Sequence, residues 1–242
     1  MIEKAFVQRK NGDWLNENAY ALARGLYMKG IEVVPFDFAD LERLSLTRDT
    51  LVHGGIYTVK RALQIIGVDE PKACDGMPPA ELMPFCGRRV WASNMASVRS
   101  RLDNDEKIFV KPLHSQKAFT GHVIGSDLTS LLMISGFEDD FEVMCSEVVE
   151  FETEYRGFVN RGELVGLRHY KGDFGKIVDV DVVRSAVKAW AGPVSYSIDF
   201  GLRSNGTTSL VEVNDGFALG CYGLPSITYA NFVQDRWEEM TK

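Results

Sequence analysis

Two carboxylates and an amide stand close together near the C-terminal end of this chain: Asp199, Glu212 and Asn214. Residues 196–201 (Tyr-Ser-Ile-Asp-Phe-Gly) have the composition of a strand, 203–207 (Arg-Ser-Asn-Gly-Thr) that of a turn, and 210–213 (Leu-Val-Glu-Val) that of a second strand. Side chains alternate along a strand, so Glu212 and Asn214 share one face while Val211 and Val213 take the other. Asp199 falls near the paired position on the preceding strand. Three oxygen donors on one sheet face form a hard site, suited to Mg²⁺ carrying nucleotide phosphates. A solvated hairpin with ordinary surface acids would hold the same residues, so the residues upstream must separate the two readings.

The spacing Asp199-x12-Glu212-x-Asn214 resembles the metal-binding hairpin of ATP-grasp enzymes. The run from Glu212 through Asn214-Asp-Gly-Phe-Ala-Leu-Gly-Cys-Tyr-Gly-Leu to Pro225, followed by Arg236-Trp237, is similar to the ATP-grasp clade named for two arginines and a lysine. The resemblance implies an α/β (α+β) two-lobed ATP-grasp fold with ATP between the lobes, preceded by a small parallel α/β lobe. It implies ATP as cosubstrate and one or two Mg²⁺ ions held by Asp199, Glu212 and Asn214. Ile108-Phe-Val-Lys111-Pro would be a strand whose lysine pairs with the α/β phosphates. Ser115-Gln-Lys117-Ala-Phe-Thr-Gly121 resembles the phosphate-covering loop, with Lys117 over the γ-phosphate. Residues 141–151 resemble the hinge strand that holds adenine: Glu147 near the exocyclic amine, backbone groups of Val148, Val149 and Glu150 on the base, and Val143, Met144 and Val149 lining it. Glu154 matches the acid that takes the ribose hydroxyls, a role for which a carboxylate with two acceptor oxygens is fitted.

Residues 154–159 and 163–172 read as antiparallel strands joined by the turn Asn160-Arg161-Gly162. They carry Arg156, Arg168 and Lys171, the candidates for the two arginines and the lysine. Guanidinium suits phosphate oxygens and the charge of phosphoryl transfer, and which arginine meets phosphate stays open. Arg184 is a further phosphate candidate. Some relatives place an arginine just before the metal-binding aspartate; here Ser197 is near that place, so the arginine must come from elsewhere. The implied activity is an ATP- and Mg²⁺-dependent carboxylate–amine ligase working through an acyl phosphate on small amino-acid, peptide or related substrates. An ATP-grasp phosphotransferase or a non-catalytic ATP-binding protein are the alternatives.

The elements that must position these residues divide the chain into an N-terminal lobe, 1–84, and a domain over 85–242, itself split into a lysine and loop lobe (85–146) and a metal-binding lobe (147–242). Strands at 5–8, 31–36 and 51–55 alternate with helices begun by Asn16 or Asn18 and spanning 59–66, the pattern of a small parallel sheet. His53-Gly54-Gly55 ends a strand, where such folds place ligands. The stretch 71–84, rich in proline, reads as a connection rather than a helix. Ser93 would cap a helix running to Leu102, and residues 180–190 read as a helix stopped by Gly192-Pro193. Asp235-Arg236-Trp237 reads as packing. The loop Gly216–Gly223 could offer backbone N–H groups to a substrate carboxylate.

Composition sets the outer bounds. The 242 residues carry 27 Lys and Arg against 34 Asp and Glu, a net charge of −7, which speaks against a general nucleic-acid binder. Cys74, Cys86, Cys145 and Cys221 form no CxxC pair or zinc spacing. With no signal-like N-terminal stretch and no long apolar run, the expectation is a cytoplasmic protein that does not span a membrane. No Gly-x-Gly-x-x-Gly follows the first strand, against a dehydrogenase, and neither a Ser-His-Asp nor a Cys-His set is apparent. Oligomeric state is not readable.

Overall fold

The computed structural model describes residues 2–71, 76–114 and 118–242. The chain opens with β1 (Lys4–Lys10), β2 (Asp13–Trp14), α1 (Glu17–Met28), β3 (Glu32–Asp37), a 3₁₀ turn over Phe38–Arg43, β4 (Thr50–His53) and α2 (Ile56–Ile65). β3 and β4 both run parallel to β1, and β2 folds back antiparallel on the end of β1. Asn16 starts α1, its side chain accepting from the backbone N–H groups of Asn18 and Ala19, each at 3.1 Å. The apolar faces of α1 and α2 close over this sheet. The same core takes in Phe158 of the third sheet and Phe217, Leu219 and Tyr229 from the far end of the chain.

The second sheet has the order β5-β8-β6-β7, from β5 (Val90–Asn94), β6 (Ile108–Pro112), β7 (His122–Ile124) and β8 (Glu142–Ser146), all antiparallel. α3 (Met95–Leu102) and α4 (Leu128–Ile134) pack on one side of it, around Val98, Val110, Ile124, Val143 and Cys145. The third sheet has the order β10-β9-β11-β12, from β9 (Thr153–Asn160), β10 (Glu163–Gly172), β11 (Ser195–Leu202) and β12 (Thr208–Asp215). α5 (Val180–Ala189) covers one face of it through Val183, Ala186 and Val187. α6 (Ser226–Thr241) packs on α1 and on the third sheet.

Several expectations shift. The strand expected over 141–151 ends at Ser146, where the ladders of β8 with β5 and β6 both end and the chain crosses to the third sheet. Asn94, not Ser93, caps α3, accepting from the Ser97 N–H at 2.9 Å; Ser93 lies inside β5. The connection between lobes contains a 3₁₀ turn, Ala80–Phe85, that buries Leu82. β7 and α4 are elements that the sequence pattern did not reveal, each being short. Cys86, Cys145 and Cys221 are buried free thiols, and Cys74 lies outside the described residues. Among the described residues no helix is long and apolar enough to cross a membrane.

Candidate active site

The third sheet aligns four charged residues in one transverse row. Arg168 on β10 pairs with Arg156 on β9, Arg156 with Asp199 on β11, and Asp199 with Glu212 on β12. Directly paired residues project to the same face, so the row runs Arg, Arg, Asp, Glu across that face. A bulge between Asp199 and Phe200 inserts Val211 into β12. Such a bulge leaves carbonyls without ladder partners. Arg88 meets them, donating to Leu210 O at 2.6 Å and to Val211 O at 3.2 Å. The Arg88 Nε also donates to Ser146 Oγ at 3.3 Å, tying the end of β8 to the hairpin.

Asp199 has no exposed surface, and both of its oxygens are held by Arg156: Nε to Oδ1 at 2.9 Å and Nη2 to Oδ2 at 2.6 Å. Burial pushes the Asp199 carboxyl up to about 7; the Arg156 guanidinium works against that shift, and the Glu212 and Glu154 carboxylates add to it. Burial would lower Arg156, but the hydrogen bonds and charge of Asp199 reverse this, so the guanidinium stays charged. Glu212, about a third exposed, lies 3.6 Å from Arg156 Nη2 and accepts from Asn214 Nδ2 at 3.0 Å. Two aromatic rings cover the guanidinium, Tyr222 at 4.6 Å and Tyr170 at 5.6 Å from ring centre to Cζ.

Among the described residues no three His, Cys, Asp or Glu side chains gather into a metal site. The donor set of the hairpin is two carboxylates and one amide. That set is hard and oxygen-only, and a cation it held would draw its remaining ligands from phosphate and water, the usual arrangement for Mg²⁺. The residues therefore fit the ion that the sequence pattern implies.

Glu154 sits on β9 two residues before Arg156. Its buried carboxylate accepts from Tyr170 Oη at 2.6 Å and from Lys171 Nζ at 2.5 Å. Lys171 thus meets Glu154, and its own side chain remains largely exposed. Burial raises the Tyr170 hydroxyl well above its ordinary value, and the Asp199 charge raises it further.

Between the second and third sheets lies a cavity of about 540 Å³. Lys111, Met144, Glu147, Val149, Glu150, Glu154, Lys171 and Glu212 all line it. Glu147 accepts from the Arg89 N–H at 2.9 Å, which pins the start of the crossing segment. Val148 turns outward and is 38% exposed, while Val143 points into the core of the second sheet, since alternate residues of a strand take opposite faces. Lys117 lies outside the described residues. Arg184 lies on the surface of α5 beside Asp181 and does not line the cavity. His122 lines the cavity, His114 lies on the surface within 3.6 Å of Glu142, and His169 packs edge-on against Tyr155.

Lining residues that sequence reasoning did not single out include Arg88, Phe109, His122, Val123, Phe151 and Val211. The Arg88-Arg89 pair ahead of a strand is a weak local signal; its contacts to residues 210 and 211 are long-range. Tyr222 was within a loop marked as a substrate candidate, but nothing in its neighbours announces that it covers Arg156.

That loop, residues 216–224, links the β11–β12 hairpin to α6. Ala218 and Tyr222 adopt left-handed backbone, φ 54° and 46°, which costs a non-glycine residue energy. Arg236 on α6 clamps its start, donating to Asp215 from Nε at 2.7 Å and from Nη2 at 2.5 Å, while Asp215 Oδ1 accepts from the Phe217 N–H at 3.0 Å. Asn18 of α1 accepts from the Cys221 N–H at 2.8 Å, so the N-terminal lobe reaches this loop as well.

Residues 85–232 match the model of an ATP-grasp domain family, the second family of the clade named for two arginines and a lysine. No curated protein is similar enough in sequence to count as a relative. Among solved structures, the chain is similar to D-alanine–D-alanine ligase from Bacillus anthracis, with TM-score 0.59, 14% identity, and 98% of this chain and 96% of that one covered. It is similar to the D-cycloserine synthetase DcsG, at 0.59 and 12%, covering 98% and 99%. It is also similar to a RimK domain ATP-grasp protein from Sphaerobacter thermophilus, at 0.59 and 13%, covering 98% and 97%.

Proposed function

We propose that this chain, which belongs to the clade of ATP-grasp domains named for two arginines and a lysine, is an ATP- and Mg²⁺-dependent ligase joining a carboxylate to an amine. The observation that carries the reading is that one cavity between two sheets collects Lys111, the 147–150 crossing segment, Glu154 and the edge of the carboxylate hairpin at Glu212. Two of the structural neighbours carry ligase or synthetase names, in line with this chemistry.

In this reading the adenine lies against Met144, Val149 and Phe109, and backbone groups of 148–150 bond its edge. Glu154 accepts from the ribose hydroxyls. Lys111 offsets phosphate charge, and Lys117, which lies outside the described residues, is the candidate for the γ-phosphate. Asp199, Glu212 and Asn214 would hold the cation, which would offset phosphate charge. Arg156 and Arg168 stabilise the charge that spreads over the transferred group. The carboxylate substrate receives the γ-phosphoryl, giving an acyl phosphate, and the amine then displaces phosphate to form the amide. Small amino acids or peptides are the substrate class. The division at residues 84 and 85, with a lysine lobe to 146 and a metal lobe from 147, is the domain plan of the same reading.

The test is ADP release with Mg²⁺-ATP against a panel of carboxylates and amines, beside a calorimetric ATP titration. Substrate-dependent ADP and free phosphate with an amide product support the ligase; a stable phosphorylated product would replace it with a phosphotransferase. Failure to bind ATP would end the reading.

A further inference from the structure

We infer that Arg156 and the divalent cation are alternative partners of Asp199, and that Tyr222 latches the arginine in place. The cation then gains its full ligand set only when the guanidinium leaves. This rests on the reading of Asp199, Glu212 and Asn214 as the cation's ligands.

Three observations carry it. The first is occupancy. Asp199 has no exposed surface, and the guanidinium holds both of its oxygens in a bidentate pair, at 2.9 and 2.6 Å. A hydrated Mg²⁺ gives up its waters reluctantly, and it has no path to a buried carboxylate whose open side is filled by a fixed cation. The second is charge. Asp199 and Glu212 together carry two negative charges, and Arg156, 3.6 Å from Glu212 as well, cancels one of them. While the arginine is in place, only Glu212 and the Asn214 amide face an arriving cation. Two positive groups at a single carboxylate oppose one another, and the low-dielectric setting strengthens that opposition. The third is the cover. The rings of Tyr222 and Tyr170 lie 4.6 and 5.6 Å from the guanidinium carbon and contact each other, their centres 6.0 Å apart. An aromatic face over a guanidinium favours that position for it.

Tyr222 has φ 46° and belongs to the loop that joins the metal hairpin to α6. A ligand that moves this loop lifts one ring from Arg156. Polyphosphate oxygens offer the guanidinium a new bidentate partner. The arginine released from Asp199 then sits where it can meet the transferred phosphoryl group, and the carboxylate is free for the cation. Ion and nucleotide would therefore bind together, with little ion bound alone.

The test uses Mn²⁺ as the probe, read by the electron paramagnetic resonance signal of free ion, with the full chain at pH 8 and no nucleotide. Arg156→Met removes the competing charge at similar side-chain length. It should bind Mn²⁺ at least tenfold more tightly than the unaltered protein, with a thermal melt confirming that it is folded. Tyr222→Ala, at a residue 43% exposed and outside the core, should tighten Mn²⁺ binding in the same direction, and it decides the question alone if Arg156→Met does not fold. Equal Mn²⁺ affinity in the unaltered protein and the folded variants would overturn the inference and leave the cation assignment standing. A separate arm, Glu212→Gln with a non-hydrolysable ATP analogue, tests the assignment itself. Loss of protein-bound Mn²⁺ supports it, and unchanged binding overturns both.

Discussion

Replacing Arg236 with methionine should destabilise the protein strongly and disturb the loop behind the β11–β12 hairpin. Asp215 ends β12, and its side chain is 4% exposed; that of Arg236 is 9% exposed. The pair is bidentate, at 2.7 and 2.5 Å, and Asp215 also receives the Phe217 N–H. Removing one partner of a buried ion pair leaves an uncompensated charge, at about 3–5 kcal/mol. A chain of this length shifts its melting temperature by about 2–4 °C per kcal/mol, so Arg236→Met should melt roughly 6–20 °C lower. The same change frees the start of the 216–224 loop, so ADP release should fall more than the residual folded fraction accounts for. Arg236→Lys keeps the charge without the fork and should fall between the two. Differential scanning calorimetry and coupled ADP release, both below the variant's transition, give the two readouts. A melting temperature within about 2 °C of the unaltered protein, less than a single kcal/mol would produce, would refute the claim that this pair carries the junction; an unchanged rate at full folding would refute the coupling to the loop.

Three further outcomes follow from other parts of the molecule. Burial pushes His53 down from 6.5 to about 4; the unfolded chain therefore takes up a proton between those values that the folded one refuses, and the stability this histidine contributes above pH 6.5 is lost as pH falls toward 4. At about 1.4 kcal/mol per pKa unit the loss is about 3 kcal/mol, and denaturant melts of the unaltered protein and His53→Gln should converge by about that amount between pH 7 and pH 4. Glu154→Gln should weaken ATP binding about tenfold, the worth of a hydrogen bond to a charged group, and should abolish discrimination between ATP and 2′-deoxy-ATP in calorimetry; retained discrimination would remove Glu154 from the ribose. Gly201→Ala would set a Cβ 2.2 Å from Cδ1 of Phe151, a cavity residue. Overpacking of about 1–3 kcal/mol should lower the melting point by about 5 °C and weaken ATP binding, with Phe151→Leu restoring both.

The elements were legible where local chemistry decides them. Residues 108–112 read as a strand and are one. The turn between β9 and β10 was marked by Asn160-Arg161-Gly162, and Arg161 and Gly162 have φ 52° and 78°, the left-handed pair that a tight hairpin requires. The first ambiguity, Asn16 or Asn18, resolves because a cap must accept from N–H groups two and three residues ahead, and Asn16 does so while Asn18 bonds the distant Cys221. The 141–151 run misled because apolar and β-branched composition marks burial, not ladder partners; residues 147–151 are the crossing between sheets. β7 has three residues, too few for any period to register. At the site, residue types were readable and their partners were not. Arg236 read as packing; that it is also an electrostatic strut depends on a partner 21 residues away. Nothing near Arg88 in the sequence announces its role, since the bulge carbonyls that it satisfies lie more than 120 residues on.

The transverse row across the third sheet explains why these residue types must occur together. Arg168 and Arg156 are adjacent like charges, and Asp199 and Glu212 are adjacent like charges. Each such pair is unfavourable alone. The arrangement holds because the middle contact, Arg156 to Asp199, joins opposite charges at the most buried point of the row. Anything that takes Arg156 away from Asp199 exposes both repulsions at once: a positive pair that calls for phosphate and a negative pair that calls for a cation. Mg²⁺-nucleotide is a single ligand that meets both needs. A lone cation meets only one, and so does a lone anion. On the proposed reading the sheet would favour the complex over its separate parts by the order in which it sets four side chains, and reversing Arg156 and Asp199 between β9 and β11 would keep the pair while destroying that order.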